Sequence, residues 1–378
     1  MKKILYFDNA ATTKISEKAL DAYISASKDY WGNPSSLHQA GQEAHSRLED
    51  DRNKIASCLQ VKPQDLTFTA SSTEANSIIL QSFLWSPQQG QILIPSIEHS
   101  AVKGFERLFR EKGWTVSTID APKGFVDPDQ VASLLNPKTR LVCMMLVNNV
   151  TGSIQPVGEI VKVCRAYEKR TGRKIHVHTD ATQALGKIPF NLGSLGVDSA
   201  AFSAHKLQGP KGVGLLYNID PSIQGLSRGG GQEHALRPGT ENTAGIASMA
   251  VAISDALENL NLHQQTAQHL NALCRKELDG VVSFLSPGEN ASPWILNITT
   301  DKLPSEVLTR MLSDKGICVS SGSACSNNAQ GKEESIITAM HFSPKEAKGS
   351  IRISFGYQTT DDEAMLLCLT LKELLGRN

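Results

Sequence analysis

Between residues 65 and 218 the chain switches repeatedly between short apolar runs and helix-length amphipathic stretches, and that alternation leaves few folds open. The runs DLTFTA, QILIP, WTVSTID, RLVCMMLV, KIHVHTD, DSAAFSA and GVGLLYN have the length and β-branched content of strands. Between them, TEANSIILQSFLW, SAVKGFERLFREKG and VGEIVKVCRAYEKRTG have helical spacing, and the last ends in cationic residues and glycine, as a helix C-terminus does. Strands joined through helices lie parallel, so the pattern predicts an α/β fold with a mostly parallel seven-stranded sheet covered on both faces.

Downstream, an unbroken helical pattern from Glu241 to Asp279 contains no proline and a single glycine, and it predicts one long helix bridging two units. The later segments WILNITT, PSEVLTRMLSDKG, ICVSSGSAC, SIRISFG and DDEAMLLCLTLKELLG alternate over shorter spans and fit a small α+β domain. The expected division is a large domain over residues 15–255 and a small one from residues 1–14 and 256–378.

Lysine plus arginine balances aspartate plus glutamate at 38 each, so there is no overall field to draw in nucleic acid or an anionic membrane. No apolar run is long enough to span a bilayer, and Asp8 and Asn9 interrupt the N-terminal apolar patch before a signal-peptide core can form; a cytoplasmic protein is expected. The seven cysteines are scattered without a Cys-x-x-Cys pair, which argues against a disulfide framework and a zinc ribbon. His176-x-His178 is half of a metal site at most, with no third ligand evident, and no metal is expected.

In open α/β sheets ligands sit beyond the carboxyl ends of the strands. Four apolar runs here lead into polar groups: KIHVHTD ends at Asp180 with Gln183 close behind, DSAAFSA ends in Ser203, His205 and Lys206, QILIP leads to Glu98 and His99, and RLVCMMLV leads to Asn148 and Asn149. A lysine desolvated at a strand end is suited to forming a Schiff base with a carbonyl. An aspartate in the same site can hold a pyridine nitrogen protonated, and TASSTEAN at 69–76 offers hydroxyls and a helix N-terminus for a phosphate. Together these residue types describe a site for pyridoxal 5'-phosphate.

The residues resemble the cysteine desulfurases of the NifS/IscS type, within the class V aminotransferase group of fold-type I pyridoxal-phosphate enzymes. The resemblance runs through YFDNAATT, WGNPSSLH, FTASSTEAN, EHSAV, VNNVTGSIQP, HTDATQALGKIPFNL, FSAHKLQGPKGVGLLY, GGGQEHALRPGTEN, SSGSACS and SIRISFG, almost the whole chain. It implies that Lys206 carries the cofactor and moves protons, that Asp180 pairs with the pyridine nitrogen, and that His99 stacks on the ring. It further implies that Gln183 and Asn149 lie near the phenolic oxygen and the substrate, and that Ser72, Thr73, Ser203 and His205 serve the phosphate. Arg352, with Asn33 nearby, would grip the carboxylate of L-cysteine, a task for a planar two-pronged donor. Thr240 matches a threonine that completes the partner subunit's phosphate site, which implies a homodimer.

Cys325 sits in the small polar stretch SSGSACSNNAQGKEES, whereas the other six cysteines have apolar neighbours. The resemblance makes it the thiol that takes sulfur from L-cysteine as a persulfide, leaving alanine, and hands it to a protein acceptor for iron–sulfur clusters or for thiolation of a cofactor or tRNA. Two departures stand out: Val150 occupies a position that is glutamate in the family, and the family's Gly-Ala-Thr-Glu segment appears as SSTE, with Ser71 and Ser72 in place of Gly-Ala. The chain also ends at Asn378 without the extension IscS-type enzymes use around scaffold partners, which leaves the acceptor open. Selenocysteine lyase activity and a catalytically weak scaffold of the same fold are the alternative readings.

Overall fold

The computed structural model describes residues 4–322 and 335–376. After a short N-terminal strand, β1 (Leu5–Tyr6), come the seven strands of the main sheet: β2 (Leu66–Thr69), β3 (Gln91–Pro95), β4 (Thr115–Ile119), β5 (Thr139–Cys143), β6 (His176–Asp180), β7 (Ser199–Ser203) and β8 (Gly214–Asn218). Their order is β2-β8-β7-β6-β5-β3-β4, and the pairings among β7, β6, β5, β3 and β4 are all parallel. Strand β8 runs antiparallel to both β7 and β2, so the expected sheet is mostly parallel with one reversed strand. Strands β3 and β7 are buried along their whole length and β5 at every residue but Arg140, which accounts for the short runs of apolar and small residues seen in the sequence.

Local chemistry sets the helices between them. Helix Val157–Thr171 has Lys169 and Arg170 in its last turn and stops at Gly172, whose φ of 70° is a left-handed conformation that suits glycine. Helix Ser72–Leu84 starts at Ser71, whose hydroxyl accepts from the Glu74 amide. Glycine is required at Gly214, because a Cβ there would come 2.4 Å from the Ser71 carbonyl carbon. That close approach brings the start of β8 against the first turn of the helix.

The predicted single helix over 241–279 is two: Thr243–Glu258 and Leu260–Leu278. Asn259 separates them with φ −101° and ψ 11°, its side-chain amide donating to the Asp255 carbonyl at 2.9 Å. An asparagine able to satisfy the carbonyl end of one helix while starting the next breaks a pattern that has no proline or glycine to mark the place.

The remaining strands are β9 (Ser283–Phe284), β10 (Ile295–Thr299), β11 (Ile317–Cys318), β12 (Ser320–Ser321) and β13 (Ile351–Ser354). They form an antiparallel sheet in the order β12-β13-β10-β9 and a parallel pair between β1 and β11. A separate apolar core gathers there, with Phe7, Trp294, Phe355 and Leu371 among its members. The N-terminal segment thus crosses the chain: Leu5 pairs with Ile317, and the loop that follows it reaches the carboxyl ends of the large sheet.

Candidate active site

Beyond the carboxyl ends of β3, β5, β6 and β7 lies a cavity, partly open to solvent, whose walls include Ser72, Thr73, His99, Asn149, Asp180, Gln183, His205 and Lys206. Eight residues singled out from the sequence therefore converge on one space. Ser71, Met145, Val147 and Thr182 complete the lining.

Asp180 is the last residue of β6 and is 7% exposed, so its carboxylate depends on local donors. Asn76 Nδ2 donates to its Oδ2 at 2.8 Å, and the Thr182 amide donates to its Oδ1 at 3.0 Å. Lys206 closes the turn after β7, and its Nζ donates to the carbonyls of Ala10 and Ala11, both at 2.7 Å. His99 caps the turn Ser100–Lys103 by accepting at Nδ1 from the Ala101 amide at 3.1 Å. Burial pulls its pKa below the usual histidine range, against the opposite pull of Asp180, so the imidazole is held neutral.

His205 meets Thr12 Oγ1 through Nδ1 at 3.1 Å, and burial with the neighbouring lysines pulls its pKa down to about 4. Gln183 donates from Nε2 to the Ala10 carbonyl at 2.8 Å and accepts at Oε1 from Lys187 Nζ at 2.7 Å. Ser72 and Thr73 open their helix, so their amides have no acceptor within it.

Four of the predicted residues stand apart from the cavity wall. Ser203 ends β7 with its hydroxyl buried behind the lining. Arg352, on β13, donates through Nη1 to the Asn149 carbonyl at 3.0 Å and through Nη2 to Asp8 Oδ1 at 2.8 Å and Ser320 Oγ at 3.0 Å. Asn33 is exposed, its Oδ1 accepting from the Ser35 amide at 2.9 Å, and Thr240 is exposed in the loop after Gly239. Cys325 lies outside the described residues.

Two ionisable groups beside the site are buried: Glu98, named at its strand end but given no role, and Lys187, which the sequence reading passed over. Glu98, 1% exposed, accepts from the Met145 amide, while its other oxygen has no partner among the described residues. Burial and the charge of Asp180 push its pKa up to about 8. Lys187 is 3% exposed, and burial with the nearby charges of Lys206 and Arg352 pulls its pKa down to about 7. The signal for Lys187 was its position four residues after Gln183, and for Glu98 its place beside His99 at a strand end. The Val150 departure has a packing reason: the side chain is buried against Leu285 and Ile337, where a glutamate would be desolvated.

The donor set fits pyridoxal 5'-phosphate. Thr182 Oγ1 and Asn149 Oδ1, on residues that line the cavity, are buried without hydrogen-bond partners among the described residues, where a polar guest would satisfy them. An amine, a carboxylate, a flat neutral imidazole and a helix N-terminus surround the same space. His176 and His178, by contrast, engage their ring nitrogens in hydrogen bonds to Asp220, Ser199 and Asn76.

Comparison with known proteins agrees with this geometry. The class-V aminotransferase family matches residues 5–367. The cysteine desulfurase IscS of Dictyoglomus turgidum is 34% identical over 370 residues, covering 96% of this chain and 92% of that protein. A cysteine desulfurase of Enterobacter agglomerans is 34% identical over 381 residues, covering 99% and 93%. The solved structure of a NifS-like protein superposes with a TM-score of 0.92 at 33% identity, covering 99% of this chain and all of that one. Fold, site and sequence kinship converge: the chain belongs to the class-V aminotransferase family, among the cysteine desulfurases of the NifS/IscS type, which are pyridoxal-phosphate enzymes.

Proposed function

We propose that this chain takes the sulfur atom from L-cysteine, releases L-alanine, and carries the sulfur as a persulfide on Cys325 to a protein acceptor. The observation that carries the reading is the convergence of Lys206, Asp180 and His99 on one cavity beyond the carboxyl ends of β7, β6 and β3. Relatives named cysteine desulfurase, and a structural neighbour at 28% identity described as in complex with cysteine, support the same substrate.

When bound, pyridoxal phosphate supplies an aldehyde for an amine and an electron-withdrawing ring that stabilises negative charge at the substrate Cα. Lys206 would hold it covalently and then accept the substrate Cα proton at Nζ, the group that here donates to the Ala10 and Ala11 carbonyls at the cavity. Asp180, braced by Asn76 and Thr182, would pair with the ring nitrogen. His99 would cover one face of the ring, and its neutral state would avoid a charge opposing the protonated ring. Ser72, Thr73, Ser203 and His205 would hold the phosphate, Gln183 and Asn149 would lie by the phenolic oxygen and the substrate, and Arg352, with Asn33, would receive the substrate carboxylate. The sulfur balance is simple: the thiol of Cys325 plus cysteine becomes a persulfide plus alanine.

Several finer statements belong to the same proposal: a homodimer in which Thr240 completes the partner subunit's phosphate site, a division into units over 15–255 and over 1–14 with 256–378, and a cytoplasmic location. Two separate apolar cores support the division. Among the described residues no helix is long and apolar enough to cross a membrane.

The test is incubation of the cofactor-loaded protein with L-cysteine and a reductant. Sulfide and alanine should appear in equal amounts, and Cys325→Ala should abolish sulfide release. Borohydride reduction and peptide mapping should place the pyridoxyl group on Lys206. A tag elsewhere, or full sulfide release from Cys325→Ala, would overturn the assigned roles.

A further inference from the structure

A continuous line of buried polar side chains runs from Asp180 along β6 to the opposite end of the sheet. Asn76 Nδ2 lies 2.8 Å from Asp180 Oδ2, and Asn76 Oδ1 lies 2.8 Å from His178 Nε2. His178 Nδ1 lies 2.7 Å from Ser199 Oγ, which in turn lies 2.7 Å from His176 Nε2. His176 Nδ1 finally meets Asp220 Oδ2 at 3.0 Å. Asn76, His178 and Ser199 are fully buried, and His176 and Asp220 are 2% and 4% exposed. Four residue steps along β6 lead from His176 to Asp180, so the line carries an interaction over about 13 Å.

The direction of every bond in this line follows from its two ends. An ionised Asp180 accepts only, so Asn76 must present its amide hydrogens to it and its oxygen to His178. His178 must therefore carry hydrogen on Nε2, which leaves Nδ1 as an acceptor for the Ser199 hydroxyl. Ser199 then accepts from His176 Nε2–H. At the far end, the Asp220 carboxylate also receives the Ser222 amide at 3.0 Å, the Ser222 hydroxyl at 2.7 Å and Lys174 Nζ at 3.2 Å, a donor set that only an ionised carboxylate needs. His176 Nδ1 faces that carboxylate and can meet it favourably only as N–H.

We propose that His176 is a positioning residue, held as a doubly protonated imidazolium by Asp220, and that the bonds from it through Ser199, His178 and Asn76 all donate toward Asp180, fixing that carboxylate as an acceptor facing the cavity. The proposal rests on the reading that Asp180 pairs with the cofactor ring nitrogen. The alternative orientation of the Ser199 hydroxyl would move the extra proton to His178, which is fully buried with no carboxylate against it; burial pulls its pKa down to about 3. The charged groups facing His176 are Asp220 and, through it, Lys174; the other neighbours are neutral His178 on the same strand, Ser199 on β7 and the Phe83 ring, edge-on at 5.3 Å. The family's ring-nitrogen aspartate is thereby coupled to a charge pair on the far side of the sheet.

Histidine-selective ¹⁵N NMR of the cofactor-loaded protein at neutral pH tests this, with His176 assigned by the signals lost in His176→Gln. The expected spectrum shows both nitrogens of His176 protonated, His178 protonated at Nε2 alone, and the second His176 proton lost in Asp220→Asn. In cysteine turnover, His176→Leu should lower kcat about 10-fold with little change in KM, and His176→Gln, which can still donate to Ser199, should restore most of it. A neutral His176, a proton on His178 instead, or unchanged kcat in His176→Leu would overturn the proposal. Should the leucine variant not fold, the NMR comparison of wild type with Asp220→Asn decides alone. Asp180→Asn separates the two readings: if it leaves cofactor absorbance and affinity unchanged, the role of Asp180 fails, whereas a neutral His176 beside a responsive Asp180 sinks only the relay.

Discussion

Lys187 Nζ donates to Gln183 Oε1 at 2.7 Å, and Gln183 Nε2 donates to the same Ala10 carbonyl that accepts from Lys206 Nζ. A buried lysine thus orients the Gln183 amide, which shares the Ala10 carbonyl with the amine of Lys206. Its pKa falls from 10.5 to about 7, so between those values the unfolded chain binds more protons than the folded one, and this group makes stability rise with pH across that window. Lys187→Met should flatten that rise and stabilise the fold below pH 7 by on the order of 1–3 kcal/mol. Thermal melts of both proteins from mildly acidic to alkaline pH check it; parallel curves would contradict it.

Glu98 has the opposite sign. Its pKa rises from 4.5 to about 8, so the folded state holds the extra proton between those values and stability from this group is lost as pH climbs through 8. Glu98→Gln keeps the acceptor for the Met145 amide and removes the ionisation. The variant should match wild type near pH 5 and exceed it above pH 8 by about 1–3 kcal/mol, read from denaturant midpoints.

Arg352 is shared between Asp8, Ser320 and the Asn149 carbonyl, and its Nε is buried without a partner among the described residues. An arginine fixed in that way is ready to meet a carboxylate with its planar fork. Arg352→Lys keeps the charge and loses the fork, so KM for cysteine should rise about 10- to 100-fold with a smaller change in kcat. Steady-state kinetics decide, and an unchanged KM would remove Arg352 from substrate binding.

Arg52 and Glu233 form a buried ion pair at 2.6 Å, with side chains 5% and 2% exposed. Glu233 also accepts from the Phe68 amide at 2.6 Å, and it begins three consecutive residues with positive φ, Glu233, His234 and Ala235. The pair pins a strained segment, seven residues before Thr240, onto the edge of the main sheet. Arg52→Met strands a buried carboxylate and should cost about 3–5 kcal/mol in chemical denaturation. A loss below about 1 kcal/mol would show that the pair is not holding the segment.

Much of the site was legible because its residues occupy strand ends, and strand ends can be read from where an apolar run meets polar residues. Asp180, His99, Asn149 and Lys206 came out on one cavity for that reason. Asn33 and Thr240 did not reach the wall of that cavity, and nothing in their local pattern specifies a distance to it. The break at Asn259 was equally hidden, because the helical pattern continues in register on both sides of it.

The sequence by itself determined the alternation of strands and helices, the parallel character of most of the sheet, and the family to which the chain belongs, since periodicity and motif order are properties of neighbouring residues. Only the tertiary structure decided that β8 runs backward, that Glu98 and Lys187 are buried ionisable groups rather than solvated ones, and that Asp220 is joined to Asp180 across the sheet. Those facts depend on which distant segments exclude water from each other and on where the remaining hydrogen-bond donors point, and neither is encoded at a single position along the chain.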